Sequence, residues 1–191
     1  MLFISNLNME HYSSTKLRSY LKYEDGLAVL GLKAKRLFRV PDAVTELSET
    51  EKLVLDKNNL IELPASISKL KNLIVLELDD NKIAELPAEI GDLRELRVLW
   101  VSNNQLVGLP TSIQRLTKLE ELYLDGSKLT ELPAEIGDLR ELRELSVMRN
   151  PLTVDAMRRA LKLKNKGVRV YDDAGKQSGY CSYLEVRKKP R

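Results

Sequence analysis

Pro41, Pro64, Pro87, Pro110 and Pro133 stand 23 residues apart, and a fixed period of this length constrains the fold more than any other feature of the chain. In that register Leu73, Leu76, Leu78, Ile83, Leu86, Ile90 and Leu93, with Asn81 between them, define a frame that recurs from Leu27, Thr50, Leu96, Leu119 and Leu142. The aliphatic supply matches the demand: 36 of the 191 residues are leucine, while aromatics make up 5%. A 23-residue unit cannot cover its own apolar side, so its leucines must be buried by the units before and after it, and stacking makes the core. Charged residues reach 31% and apolar runs stay short, so no membrane span is expected, since that takes about 18 or more consecutive apolar residues.

Within a unit, Leu76 and Leu78 face one side while Val75, Glu77 and Asp79 face the other, which is the alternation of a half-buried strand. Asn58, Asn81, Asn104 and Asn150 close the strands, where a side-chain amide can bond backbone groups that a tight turn leaves free. The Leu-Pro pair removes a backbone donor and fixes φ, suiting an irregular outer return, and Ile67, Ile90, Ile113 and Ile136 point back into the core. These residues, in the form LxxLxLxxNxLxxLPxxIxxL over residues 27 to 152, resemble the leucine-rich repeat family. The subclass looks like that of Ras-suppressor and Scribble-type scaffolds and of small bacterial repeat proteins. The resemblance implies an α/β fold: a right-handed solenoid with a concave parallel β-sheet, an irregular or short-helical convex side and helical caps. It also implies an adaptor, scaffold or bacterial effector role.

The chain divides into an N-terminal cap (1–26), six repeats (27–152), a C-terminal cap (153–172) and a basic tail read as partly disordered (173–191). In the first cap, Ser13, Ser14 or Thr15 is expected to start a helix that carries Leu17, Tyr20 and Leu21 and stops near Asp25-Gly26. In the second, Thr153 caps a helix with Asp155 in its first turn, running through Met157, Leu161 and Leu163 to Gly167, followed by a closing strand at 168–171. Lys35 stands where the first unit should have asparagine, and Ser127 replaces it within Asp125-Gly126-Ser127, so a looser turn is expected there.

Little in the chain points to catalysis. One histidine, His11, and one cysteine, Cys181, leave no material for a zinc site, a disulfide or a histidine-based triad. No phosphate loop, HExxH, GxSxG or CxxC occurs, and Gly91 and Gly137 belong to the outer turn. The Asp56 and Asp79 column offers oxygen ligands for a divalent cation, but the ligand set is incomplete. The expectation is a non-enzyme with no cofactor and no metal. From the lone cysteine and the lack of a secretory signal pattern in the first residues, the expected location is the cytoplasm, or a host cell reached without such a signal.

The string ELPAEIGDLREL occurs at 85–96 and again at 131–142, so a two-unit block has been duplicated. The outer return is copied while the exposed strand positions differ: Val54 corresponds to Trp100, Asp56 to Ser102, Glu77 to Tyr123 and Asp80 to Gly126. This divergence marks the inner face as the candidate site. Trp100 and Tyr123, on neighbouring strands about 4.8 Å apart, are expected to lie side by side and exposed as interface anchors. The full set of partner-binding candidates adds Val54, Asp56, Glu77, Asp79, Asp80, Val98, Ser102, Asp125, Met148 and Arg149. The carboxylates suit a protein partner with an apolar knob ringed by basic residues. Residues 155–191 carry 11 Lys or Arg against 4 Asp or Glu, whereas residues 1–154 carry 20 against 24. The basic end, Arg187-Lys188-Lys189-Pro190-Arg191, is short and lacks interleaved aromatics, so no nucleic acid is expected. A monomer is expected. The competing reading is an accessory subunit or fragment that acts through a neighbouring catalytic protein.

Overall fold

The computed structural model describes residues 12–173; His11, Cys181 and the basic tail from residue 174 on lie outside them. Eight strands form one sheet in sequence order. They are β1 (Leu21–Glu24), β2 (Leu27–Gly31), β3 (Lys52–Val54), β4 (Val75–Glu77), β5 (Val98–Trp100), β6 (Glu121–Tyr123), β7 (Glu144–Ser146) and β8 (Arg169–Tyr171). From β2 onward every pairing is parallel, with Leu30, Leu53, Leu76, Leu99, Leu122, Leu145 and Val170 in one register. Six of these seven are fully buried leucines, so the same atoms set the register and fill the core.

The return path of five coils is a 3₁₀ turn opened by a proline: Asp42–Glu46, Ala65–Lys69, Ala88–Asp92, Thr111–Arg115 and Ala134–Asp138. Each proline sits at the N-cap, where its missing N–H costs nothing, and its carbonyl accepts from the residue three on, Val44 in the first turn and isoleucine in the other four, as in Ile67 N to Pro64 O at 3.0 Å. Ile67, Ile90, Ile113 and Ile136 are buried.

Coils are also riveted by polar bonds. The Asn81 amide nitrogen donates to Leu78 O in its own coil and to Leu55 O in the coil before, both at 3.0 Å, while its oxygen accepts from Leu60 N at 3.0 Å. Asn58, Asn104 and Asn150 repeat the pattern. Ser127 occupies the same place and is buried, but its hydroxyl is too short to span the turn and bonds nothing among the described residues. Ser127→Asn is therefore expected to reach Leu106 N–H and stabilise the protein by about 1 kcal/mol, seen as a Tm higher by roughly 3 °C.

The ends differ in kind. Helix α2 (Val154–Lys164) begins at Thr153, whose side chain accepts from Ala156 N, and buries Ala156, Ala160 and Leu163. At the other end the expected long helix is corrected. Helix α1 covers only Ser14–Arg18, capped by Ser13, with Leu17 as its buried contribution to the core. Leu21–Glu24 instead pairs antiparallel with β2 around Asp25 and Gly26, both at positive φ (51° and 82°). That is the two-residue hairpin geometry an Asp-Gly pair favours, so the first coil is covered by a hairpin edge together with the short helix α1.

Candidate functional site

Strand pairing lays the solvent side of the sheet out in rows. The central row runs Val54, Glu77, Trp100, Tyr123, Ser146 and Tyr171, each opposite the next. The row at the strand starts runs Lys52, Val75, Val98, Glu121, Glu144 and Arg169. A third row follows the strand ends, with Asp56, Asp79, Ser102, Asp125 and Met148 at the same period.

Trp100 and Tyr123 do meet, with ring centroids 6.0 Å apart and planes at 76°. This edge-to-face arrangement adds about 0.5–1.5 kcal/mol beyond the area it buries. Their exposure is unequal: Trp100 is half-buried, whereas Tyr123 is only 3% exposed, which corrects the expectation of two exposed rings. The Tyr123 hydroxyl donates to Glu144, whose other oxygen accepts from Arg169. Burial first, and then the bond to the Glu144 carboxylate, push the Tyr123 phenol far above its ordinary value of 10.0; burial likewise raises Tyr171. Because the folded phenol resists ionisation, its stabilising contribution is complete below pH 10 and is lost as the pH climbs further. Above that point stability is expected to fall by up to about 1.4 kcal/mol per pH unit through Tyr123, and Tyr123→Phe should make the alkaline loss shallower in a pH series of urea melts.

The acidic candidates are largely occupied with the chain itself. Asp56 Oδ1 accepts from Asp79 N at 3.0 Å, Asp79 Oδ1 from Ser102 N at 2.7 Å, and Asp125 Oδ1 from Met148 N at 2.8 Å and Ser146 Oγ at 2.5 Å. All three residues are buried. They form a second riveted column beside the asparagines, each carboxylate satisfying an amide of the following coil. Glu77, also buried, pairs with Lys52 at 2.7 Å. Asp80 and Arg149 are exposed at the rim and are linked through Asn103: its Nδ2 donates to Asp80 at 2.8 Å, and its Oδ1 accepts from Arg149 at 3.1 Å. Gly126 lies between and leaves room for that reach, since a Cβ there would fall 2.6 Å from Asn103 Oδ1. The half-buried candidates are Val54, Val98, Trp100 and Met148.

Tyr171 and Arg169 belong to this face and were not among the sequence candidates. Their row mates Ser146 and Glu144 lie 25 residues earlier, because helix α2 replaces the 3₁₀ return and breaks the 23-residue count. Among the described residues, no cluster of His, Cys, Asp and Glu is arranged to hold a metal ion, and no helix is long and apolar enough to cross a membrane.

Residues 75–165 match the family model described as a leucine-rich repeat region. No curated protein matches the chain. Among solved structures, an internalin from Listeria monocytogenes aligns over 73% of this chain and 39% of its own, at 22% identity and a TM-score of 0.60. The plant peptide hormone receptor RGFR1 in complex with RGF2 aligns over 71% and 22%, at 25% identity and a TM-score of 0.59. A leucine-rich repeat protein of Leptospira interrogans aligns over 75% and 53%, at 24% identity and a TM-score of 0.45. The chain thus spans about half, or less, of the length of each of these proteins. In-register parallel strands, asparagine-closed turns and proline-opened returns make the described fold a leucine-rich repeat solenoid. The family match covers residues 75–165, the later repeats of that solenoid.

Proposed function

We propose that the chain is a non-enzymatic binding module that holds a protein partner against its sheet face, the concave side of such a solenoid, with Trp100 as anchor. The observation that supports this reading most is a half-buried indole in mid-sheet held edge-on by a buried tyrosine, whose hydroxyl is fixed on Glu144. A side chain ordered before docking gives up little rotamer freedom on binding, and Trp and Tyr recur among the residues that dominate interface energy. Val54, Val75 and Val98, all half-buried, extend the apolar ground beside the indole. The complementary partner presents an apolar knob, with basic side chains placed to meet Glu121 and Asp80. The fold neighbour solved in complex with RGF2 lends support to a ligand-holding role. Adaptor, scaffold and delivered effector are then distinguished by whether the partner is captured from the source cell or from a host. The same reading keeps the module in the cytoplasm or inside that host.

Trp100→Ala is expected to weaken partner capture by about 30-fold, the equivalent of roughly 2 kcal/mol, when measured well below a thermal transition that the lost ring contact lowers by several degrees. Capture at wild-type strength by this variant would refute the anchor. Tyr123→Ala is not a clean probe, because emptying a buried aromatic site costs about 3–5 kcal/mol of stability by itself.

A further inference from the structure

The C-terminal cap carries a second surface. Helix α2 is 11 residues long, about 16 Å, and turns Ala156, Ala160 and Leu163 into the core. Its opposite side is not the polar outer face that the end of a solenoid requires. Val154, Met157 and Leu161, three and then four residues apart, share one stripe, with Val154 69% exposed, Leu161 41% exposed and Met157 half-buried. Cations border this stripe on both sides. Arg158, four residues after Val154 and three before Leu161, stands on one border with Lys162 a turn beyond it, and Lys164, three residues after Leu161, stands on the other. All three are exposed. Asp155, the one acid in the helix, holds Arg158 at 2.9 Å, and Arg159 turns away to Glu131. Lys162 and Lys164 have no ion-pair partner among the described residues.

We infer that the outer face of α2 docks on an anionic lipid surface, with Val154, Met157 and Leu161 entering the headgroup layer and Lys162 and Lys164 meeting lipid phosphates and carboxylates. An apolar stripe bordered by basic side chains on both sides is the pattern of a helix that lies in a membrane interface, where lysine stems follow the apolar side and the ammonium groups stay at headgroup level. Charge selects an anionic occupant. Residues 155–191 carry 11 Lys or Arg against 4 Asp or Glu, so a second copy docking through the same face would bring two basic surfaces together. Area selects lipid over an acidic protein: three apolar side chains on one short helix fall well short of the roughly 800 Å² that each side of a specific protein interface buries. Attachment to a bilayer, in contrast, accumulates from shallow insertion and from each cation near the surface. Because α2 stands in place of a return and not of a strand, this docking leaves the sheet face open, and it does not depend on the partner proposed there.

Flotation of the full chain with vesicles tests this. Vesicles with one phosphatidylserine in every three lipids, the rest phosphatidylcholine, are expected to bind the chain at least tenfold more tightly than phosphatidylcholine alone at about 0.1 M salt, and about 1 M salt should remove most of the difference. Leu161→Asp, and separately Lys162→Glu combined with Lys164→Glu, should each lower the affinity for the anionic vesicles at least tenfold with an unchanged far-ultraviolet spectrum. The matched charge reversal at an earlier coil, Lys69→Glu combined with Lys71→Glu, both exposed, should lower it less than threefold. No binding to anionic vesicles, or equal binding to both kinds, would overturn the proposal. Affinity untouched by either α2 variant would overturn it as well, assigning the attraction to cations elsewhere in the chain. Capture of a helical peptide of leucine and glutamate without capture of vesicles would give the face to an acidic protein instead.

Discussion

Asn81→Ala is expected to lower stability by about 3–5 kcal/mol. The side chain is buried and serves two coils at once. Removing it orphans Leu60 N, at about 1–3 kcal/mol for a buried unsatisfied group, and takes one bond each from Leu55 O and Leu78 O, which keep Asn58 Nδ2 at 2.7 Å and Asn104 Nδ2 at 3.0 Å, at about 0.5–1.5 kcal/mol per bond lost. The sum stays below the arithmetic maximum because the turn can relax. The loss should be local in origin and global in effect, since stability in a solenoid is a sum of nearest-neighbour interfaces. Hydrogen exchange should show protection falling first at the amides of the second and third coils, and the melting curve should shift by roughly 10 °C.

Gly91→Ala is expected to destabilise by about 3 kcal/mol, while Gly137→Ala should be neutral or stabilising by up to roughly 0.5–1 kcal/mol. The two glycines occupy the same place in identical twelve-residue strings, so local sequence forecasts equal effects. Their surroundings decide otherwise. A Cβ on Gly91 would lie 2.4 Å from Ser112 O and 2.9 Å from Ser112 Cβ in the next coil, contacts that only a backbone shift can relieve. A Cβ on Gly137 would meet nothing within 4 Å, because α2 follows in place of another 3₁₀ return. Paired urea melts of the two variants read the difference directly, and equal costs would show that the coils are not stacked as described.

Much of this is legible in the sequence because the repeat states the same physics five times over. The proline period fixes the register, strand parity puts Leu76 and Leu78 inward, and an asparagine that recurs at one offset announces a turn that needs its amide. What parity cannot show is how a side chain on the solvent side is used. Asp56, Asp79 and Asp125 read as surface carboxylates by alternation, yet each curls onto an amide of the following coil, a demand created only by stacking. Tyr123 reads as exposed by the same rule and is buried, its hydroxyl ending on Glu144 in the neighbouring strand. The N-terminal hairpin was obscured because Asp-Gly is both a helix stop and a two-residue turn, and the helical spacing of Leu17, Tyr20 and Leu21 favours the wrong choice. Tyr171 was hidden by arithmetic, since the α2 insertion adds two residues to the count.

The claim on which the functional reading rests is that a partner meets the sheet face. It is tested most directly by placing a photo-crosslinking amino acid at position 98, beside the indole, and in a second variant at position 69 on the far side of the same solenoid. Irradiation with the captured partner is expected to give a covalent adduct from position 98 and none from position 69. An adduct from position 69 with none from position 98 would contradict it.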